Sequence, residues 1–225
     1  MRKIDDREFY DTLEEVVEPS HTAVLVIDQQ NDFCHERGYY AQELGLDVTM
    51  TRALNEPINQ LTAAARASGA MVIFTQYVIA KGFTSDSPMW LGIHVGAGLK
   101  SLDQENFYTI EGTWGAELYE HMDVQSTDHV IKKFRGSAFH NTTLDSLLKK
   151  NSIESLVIAG QVTEGCVESS IRAARDADYY TVLAKDAIGS VSRERHDRVM
   201  SGWLARTYCP DTVDIIDIWK RDTKA

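Results

Sequence analysis

An α/β fold, with helices on both faces of a parallel sheet, is predicted for this 225-residue chain by three observations. Short apolar runs recur along it, and the longer segments between them carry helical periodicity. The runs are apolar on successive residues rather than on alternate ones, as strands buried on both faces are. With 43% hydrophobic residues, the chain holds enough apolar material for one sizeable domain over residues 1–225.

The polar segment before Pro19 reads as an amphipathic helical extension over about residues 1–18. Ala23–Ile27 is the first buried strand. Met50–Ala67 is a helix, since Leu54, Ile58, Leu61 and Ala65 share one face and Gly69 supplies a C-terminal stop. Met71–Thr75 is the second strand, and residues 77–112 form a long Gly-rich insertion placed to cover a site. Strand His129–Ile131, helix Thr142–Lys150, strand Leu156–Ala159, helix Val167–Ala177, strand Tyr180–Ala184 and helix Ser192–Thr207 continue the alternation, with Asn151 and Asp178 as stops. Val213–Ile216 is expected to be a sixth strand. Right-handed crossovers put the carboxyl ends of such strands on one edge, where ligands bind.

A net charge of −11 argues against a nucleic-acid footprint and against an anionic membrane surface as partner. No stretch approaches membrane-spanning length. Cys34, Cys166 and Cys209 are widely spaced, lack CxxC spacing and follow no secretory signal, so the cytoplasm is the expected compartment.

Three polar positions fall on the ligand-binding edge. Cys166 follows the fourth apolar strand and opens a helix, Asp28 closes Ala23–Ile27, and Lys133 ends His129-Val-Ile-Lys-Lys133. Singly, each has an ordinary reading: a small buried apolar residue, a helix cap, a solvated strand-end cation. Together they place a nucleophile, a base and a cation on one edge of the sheet. Backbone N–H groups and the positive end of the helix dipole are expected to lower the Cys166 pKa.

Val26-Ile-Asp28-Gln-Gln-Asn-Asp32-Phe33, Ile131-Lys-Lys133-Phe-Arg-Gly-Ser137-Ala-Phe139 with Thr143-Leu144, and Gly160-Gln-Val-Thr163-Glu-Gly-Cys166-Val occur in that order. In order and spacing the chain resembles the isochorismatase-like cysteine hydrolases from about Thr22 to Ile216. The resemblance implies a Rossmann-like three-layer α/β/α domain with a six-stranded parallel sheet, and an Asp-Lys-Cys catalytic set at Asp28, Lys133 and Cys166. The family's lysine lies four residues before the Ser of Ser-Ala-Phe, which selects Lys133 over Lys132. It also implies a non-proline cis peptide between Gln161 and Val162, an oxyanion hole from the N–H groups of Val162 and Cys166, and a homodimer or homotetramer.

Nicotinamidase-like members carry Asp-x-His and a later His as metal ligands after the second strand. Here the sequence reads Phe74-Thr-Gln76-Tyr-Val-Ile-Ala-Lys81, so no metal and no cofactor are expected, and His94 reads as a loop residue. Vinyl-ether-cleaving members do not need the cysteine, so Cys166 favours amide hydrolysis. Gly112-Thr-Trp-Gly115 and Thr163-Glu-Gly-Cys-Val-Glu-Ser169 are most similar to the N-carbamoylsarcosine, ureidoacrylate and biuret amidohydrolases. The expected partner is therefore a small amide or carbamoyl compound that releases ammonia through a thioester-type intermediate. Phe33, Gln76, Trp114, Arg135 and Phe139 lie near the motifs as candidate substrate contacts, and Arg135 and Lys81 as candidate carboxylate anchors. A vinyl-ether hydrolase using Asp28 without covalent catalysis, and a non-catalytic binding module, are the alternatives.

Overall fold

The computed structural model describes residues 1–222. Strands β1 (Arg2–Ile4) and β2 (Arg7–Phe9) form a small antiparallel hairpin. The main sheet contains β3 (Thr22–Ile27), β4 (Met71–Tyr77), β5 (His129–Lys133), β6 (Ser155–Gln161) and β7 (Tyr180–Gly189), all parallel, in the order β5-β4-β3-β6-β7. The order reverses direction at β3, so the crevice between the ends of β3 and β6 is the topological switch point.

Helices α1 (Leu13–Val16), α2 (Asn31–Cys34), α3 (Tyr39–Gln42), α4 (Thr49–Ala53) and α5 (Asn55–Ser68) precede β4. Helix α6 (Pro88–Gly96) lies in the insertion, and α7 (Leu144–Lys150), α8 (Glu168–Asp176), α9 (Arg193–Leu204) and α10 (Thr212–Asp222) follow. Strand alternation divides the core in two. Val24 and Val26 face Ile58, Leu61, Ala65, Ile215 and Trp219 of α5 and α10. Ala23, Leu25 and Ile27 face Leu144, Leu148, Ile171, Ala174 and Trp203 of α7, α8 and α9. Six consecutive buried residues in β3 are the cost of having helices on both faces.

Two expectations fail. Val213–Ile216 is the start of α10 and not a strand: Thr212, Ile215, Ile216 and Trp219 are buried while Val213 is exposed, a helical spacing that a four-residue apolar run conceals. The place beside β7 where a sixth strand would lie is taken by the short segment 208–210, held by Leu183 N–H to Tyr208 O (2.9 Å) and Lys185 N–H to Pro210 O (3.0 Å). Pro210 has no N–H to continue a ladder. The N-terminal extension is a hairpin and one helical turn instead of an amphipathic helix. Asp5 turns the chain with φ 55°, and Thr12 and Glu15 cap α1 reciprocally.

The insertion is anchored as a partial extra strand, Ile79 N–H donating to Thr109 O and Glu111 N–H to Ile79 O, both at 2.9 Å. Phe83, His94, Phe107 and Tyr108 pack ring against ring beneath it.

Candidate active site

β3 ends at Ile27, and Asp28 takes a positive φ of 49° that turns its carboxylate across the sheet edge. There Thr75 Oγ1 donates to Asp28 Oδ1 at 2.7 Å, and Lys133 Nζ lies 2.7 Å from Asp28 Oδ2, with both charged side chains almost fully buried. Lys133 also donates to the carbonyls of Arg135 (2.9 Å) and Gly136 (3.0 Å), and its ammonium sits 5.1 Å from the Tyr77 ring centroid. Strand register explains the selection. Lys133 pairs with Tyr77 and shares its face with Thr75, whereas Lys132 pairs with Gln76, points to the other face, and meets exposed Glu111 at 2.8 Å.

Cys166 lies in a π-helical turn, Thr163–Val167, that leads into α8. The Gln161–Val162 peptide before it is cis. Gly160 permits this approach of β6 to β3, since a Cβ there would lie 2.1 Å from Ile27 O. Ser170 Oγ fixes the turn by donating to Cys166 O (2.7 Å) while accepting from Ala138 N–H (2.9 Å), which joins the Ser137-Ala138 motif to the helix that follows Cys166.

Burial pushes the Cys166 thiol up to about 12, with the Lys133 ammonium opposing and the Asp28 carboxylate adding to the rise. The thiol acidity expected from the helix terminus is therefore reversed: a half-buried sulfur beside a carboxylate keeps its proton. Burial also works against the Lys133 charge, but Asp28 and Cys166 outweigh it and raise the ammonium pKa. Asp28 Oδ2 has the ion pair but no donor at hydrogen-bonding angle, and so retains a lone pair.

The candidate substrate contacts divide. Phe33 belongs to an aromatic wall with Tyr40 (4.7 Å) and Tyr108 (6.1 Å). Burial pushes the Tyr40 hydroxyl up, and the charges of Cys166 and Asp28 add to the rise. Gln76 donates to Ala116 O at 3.1 Å on the face opposite Lys133, where it anchors the 114–116 turn. Trp114 is 41% exposed and is covered by Arg37 at 5.1 Å. Phe139 packs on Tyr179, just ahead of β7 and so at the strands' amino ends. Arg135 is held by Asp86 (3.3 Å) and Ser85 O (2.8 Å) and stacks on Trp90 (5.2 Å). Cys34 is fully buried between Gln29 and Gln161, and burial pushes its thiol up. His94 is buried as well, bonded to Tyr108 (2.8 Å) and 3.5 Å from Asp86. Among the described residues, no three His, Cys, Asp or Glu side chains converge as a metal site would.

A family model, the Isochorismatase domain, matches residues 22–206. The chain belongs to the isochorismatase family. It is 35% identical over 181 residues to the ureidoacrylate amidohydrolase RutB of Agrobacterium fabrum, covering 76% of this chain and 77% of that one. It is 33% identical over 206 residues to RutB of Acinetobacter baylyi, covering 84% and 82%. A cysteine hydrolase structure from Pseudomonas syringae pv. phaseolicola matches with a TM-score of 0.79 at 26% identity, over 92% of this chain and 95% of that one. An N-carbamoylsarcosine amidase structure from Thermoplasma acidophilum shares the fold, with a TM-score of 0.66 at 20% identity over 85% and 96%.

Within this isochorismatase-family site, Thr75, Tyr77, Tyr40, Tyr108, Glu164 and Ser170 are residues that sequence reasoning missed. Thr75 was recoverable, because period two along β4 puts it on the same face as Tyr77 and hence Lys133. Tyr40 and Tyr108 reach the site from α3 and the insertion, and no spacing rule connects those segments to Cys166.

Proposed function

We propose that the chain is a cysteine-dependent hydrolase of a C–N bond in small amide, ureido or carbamoyl compounds. Amidohydrolase activity is supported by the RutB relatives. The observation that carries the mechanism is the buried Asp28–Lys133 pair at the switch point, beside a thiol that the same surroundings keep protonated.

Attack begins from the thiol. As Cys166 Sγ bonds to the substrate carbonyl carbon, its proton passes to Asp28, whose Oδ2 lone pair is available. The Lys133 charge stabilises the sulfur as negative charge builds on it. The N–H groups of Val162 and Cys166 form the oxyanion hole; one such donor is typically worth about 2.7–4 kcal/mol. Asp28 then gives the proton to the departing nitrogen, ammonia leaves, and a thioester or thiocarbamate remains. Water deprotonated by Asp28 adds to that carbonyl, sulfur leaves and recovers the proton, and the product is a carboxylic acid, or a carbamate that loses CO₂. General acid–base help of this kind contributes about 10²–10⁴-fold.

The test is ammonia release from a panel of carbamoyl compounds and primary amides, with Cys166→Ala as control. Turnover that depends on Cys166, with the variant's circular dichroism and melting temperature unchanged, is expected. Vinyl-ether cleavage that survives Cys166→Ala would replace this reading with non-covalent catalysis by Asp28.

A further inference from the structure

The site's charges come in pairs, and the pairs are oriented. Lys133 is matched by Asp28 at 2.7 Å, Arg135 by Asp86 at 3.3 Å, and Arg195 by Glu164 at 3.4 Å. In the two outer pairs the acid is the inner partner: side-chain exposure is 1% for Asp86 against 21% for Arg135, and 17% for Glu164 against 50% for Arg195. Arg135 has its donors committed to Asp86 and to the carbonyls of Ser85 and Phe134. Arg135 is therefore not free to grip a substrate carboxylate, Arg195 turns its Nε to Glu164 from the outside, and with the acid as the inner partner the field that reaches inward from both pairs is negative.

The hydroxyls of the aromatic wall register that field. Tyr40 feels Glu164 more strongly than Arg195, and Tyr77 feels Asp86 more strongly than Arg135. The wall also offers acceptors. His94 Nε2 lies 3.5 Å from Asp86 and Nδ1 2.8 Å from the Tyr108 hydroxyl; in the tautomer with the ring proton on Nε2, toward Asp86, Nδ1 accepts the Tyr108 hydroxyl proton. The Tyr108 oxygen can then only accept a further hydrogen bond.

Glu164 is the sharpest feature. It stands two residues before Cys166 in the same turn, which α9 braces through Thr163 Oγ1 to His196 Nδ1 (2.8 Å). One oxygen, Oε1, faces Arg195 Nε, and the other, Oε2, is buried with no hydrogen-bond donor. A buried carboxylate oxygen left without a donor is costly, and a ligand that brings one recovers that cost.

We propose that Glu164 Oε2 accepts an N–H group of the substrate, so that the enzyme selects uncharged or cationic carbamoyl compounds bearing a second N–H function, of which biuret is the simplest probe, over ureido acids. This rests on the carbamoyl-hydrolase reading above and names its substrate class. An acid in the same pose would set its carboxylate against Glu164 and the acceptors of the wall.

Two measurements test it. Calorimetry on Cys166→Ala protein compares binding of biuret and ureidoacrylate without turnover, and steady-state ammonia release compares their kcat/KM on the active enzyme. Biuret is expected to lead in both by about tenfold or more, the range a single unmatched polar group commands. The isosteric Glu164→Gln variant, with Glu164→Ala as a second, is expected to raise KM for biuret more than it lowers kcat and to narrow the gap between the two compounds, at an unchanged circular dichroism spectrum. Cys166-dependent turnover of ureidoacrylate in preference to biuret, or variants that alter both compounds alike, would overturn the inference and leave the carbamoyl-hydrolase reading standing. Biuret binding that weakens in Glu164→Gln, without Cys166-dependent ammonia from either compound, would keep the binding role and remove the hydrolase. If biuret neither binds nor turns over, the inference falls.

Discussion

Replacing Lys133 with alanine tests the centre of the site, because its neighbour Lys132 is a built-in control. Lys133 is fully buried, 2.7 Å from Asp28, and donates to two carbonyls. Removing it strands the Asp28 carboxylate in the interior, held by the Thr75 hydroxyl but without its cation. Breaking a buried pair from one side costs about 3–5 kcal/mol. Lys132 is 54% exposed against a 42% exposed Glu111, a pairing worth about 0–1 kcal/mol. Urea unfolding at neutral pH should therefore show a large drop in midpoint for Lys133→Ala and almost none for Lys132→Ala. Ammonia release should fall about 10²–10⁴-fold in the first and little in the second, since only the first removes the cation that holds Asp28 in place beside the thiol. Adding Asp28→Asn to Lys133→Ala should restore part of the stability, with a coupling of about 0.5–3 kcal/mol, and none of the activity. Equal effects at the two lysines, or a double variant weaker than the sum of the singles, would refute the buried-pair argument.

Gly160→Ala should cost at least about 4 kcal/mol, because its Cβ would meet Ile27 O at 2.1 Å at a φ of 109°; a variant that unfolds near the wild-type urea midpoint contradicts the packing of β6 on β3. Iodoacetamide labelling of Cys166 should keep accelerating past the ordinary thiol pKa of about 8.5, because the folded thiol is held near about 12, and a plateau below about pH 8 would show a resting thiolate. The sign for stability follows: above about pH 8.5 the unfolded chain releases a thiol proton that the native one retains, so this contribution is intact below that pH and is lost as pH climbs toward 12, and urea midpoints that rise over that span would count against it.

Strand ends were legible because burial on both faces writes a strand as a continuous apolar run, and the first residue that breaks the run marks the ligand edge. Asp28 was found this way; Lys133 was selected over Lys132 by the family's spacing to the Ser of Ser-Ala-Phe, and the alternation of side chains along β5 separates the two. The same signal failed at Val213–Ile216, since four apolar residues have no period of their own and only the burial of Ile215, Ile216 and Trp219 shows the helix. Residue type was a poor guide to the pocket wall. Trp114, Phe139 and Gln76 have pocket-like chemistry near the motifs, yet the first faces Arg37, the second Tyr179 and the third a backbone carbonyl. Tyr40 and Tyr108 are brought together by the insertion's packing, and that depends on contacts between segments far apart in sequence.

The state of the Cys166 thiol shows where local reasoning stops. A helix terminus supplies a real but modest field that decays within a turn, and here the terminus is a π-helical turn. Burial acts on the whole group and favours the neutral form; the Lys133 ammonium is the main opposing influence, and the Asp28 carboxylate works with burial against it. The net result joins proton transfer to attack. A sulfur that keeps its proton until a carbonyl arrives is a weak target for adventitious alkylation, and in the proposed mechanism Asp28, paired with Lys133 at 2.7 Å, takes the proton as the bond forms. In that mechanism an unreactive resting thiol makes the carboxylate necessary, and Lys133 is expected to control the rate through the positive charge it sets beside both Asp28 and the Cys166 sulfur.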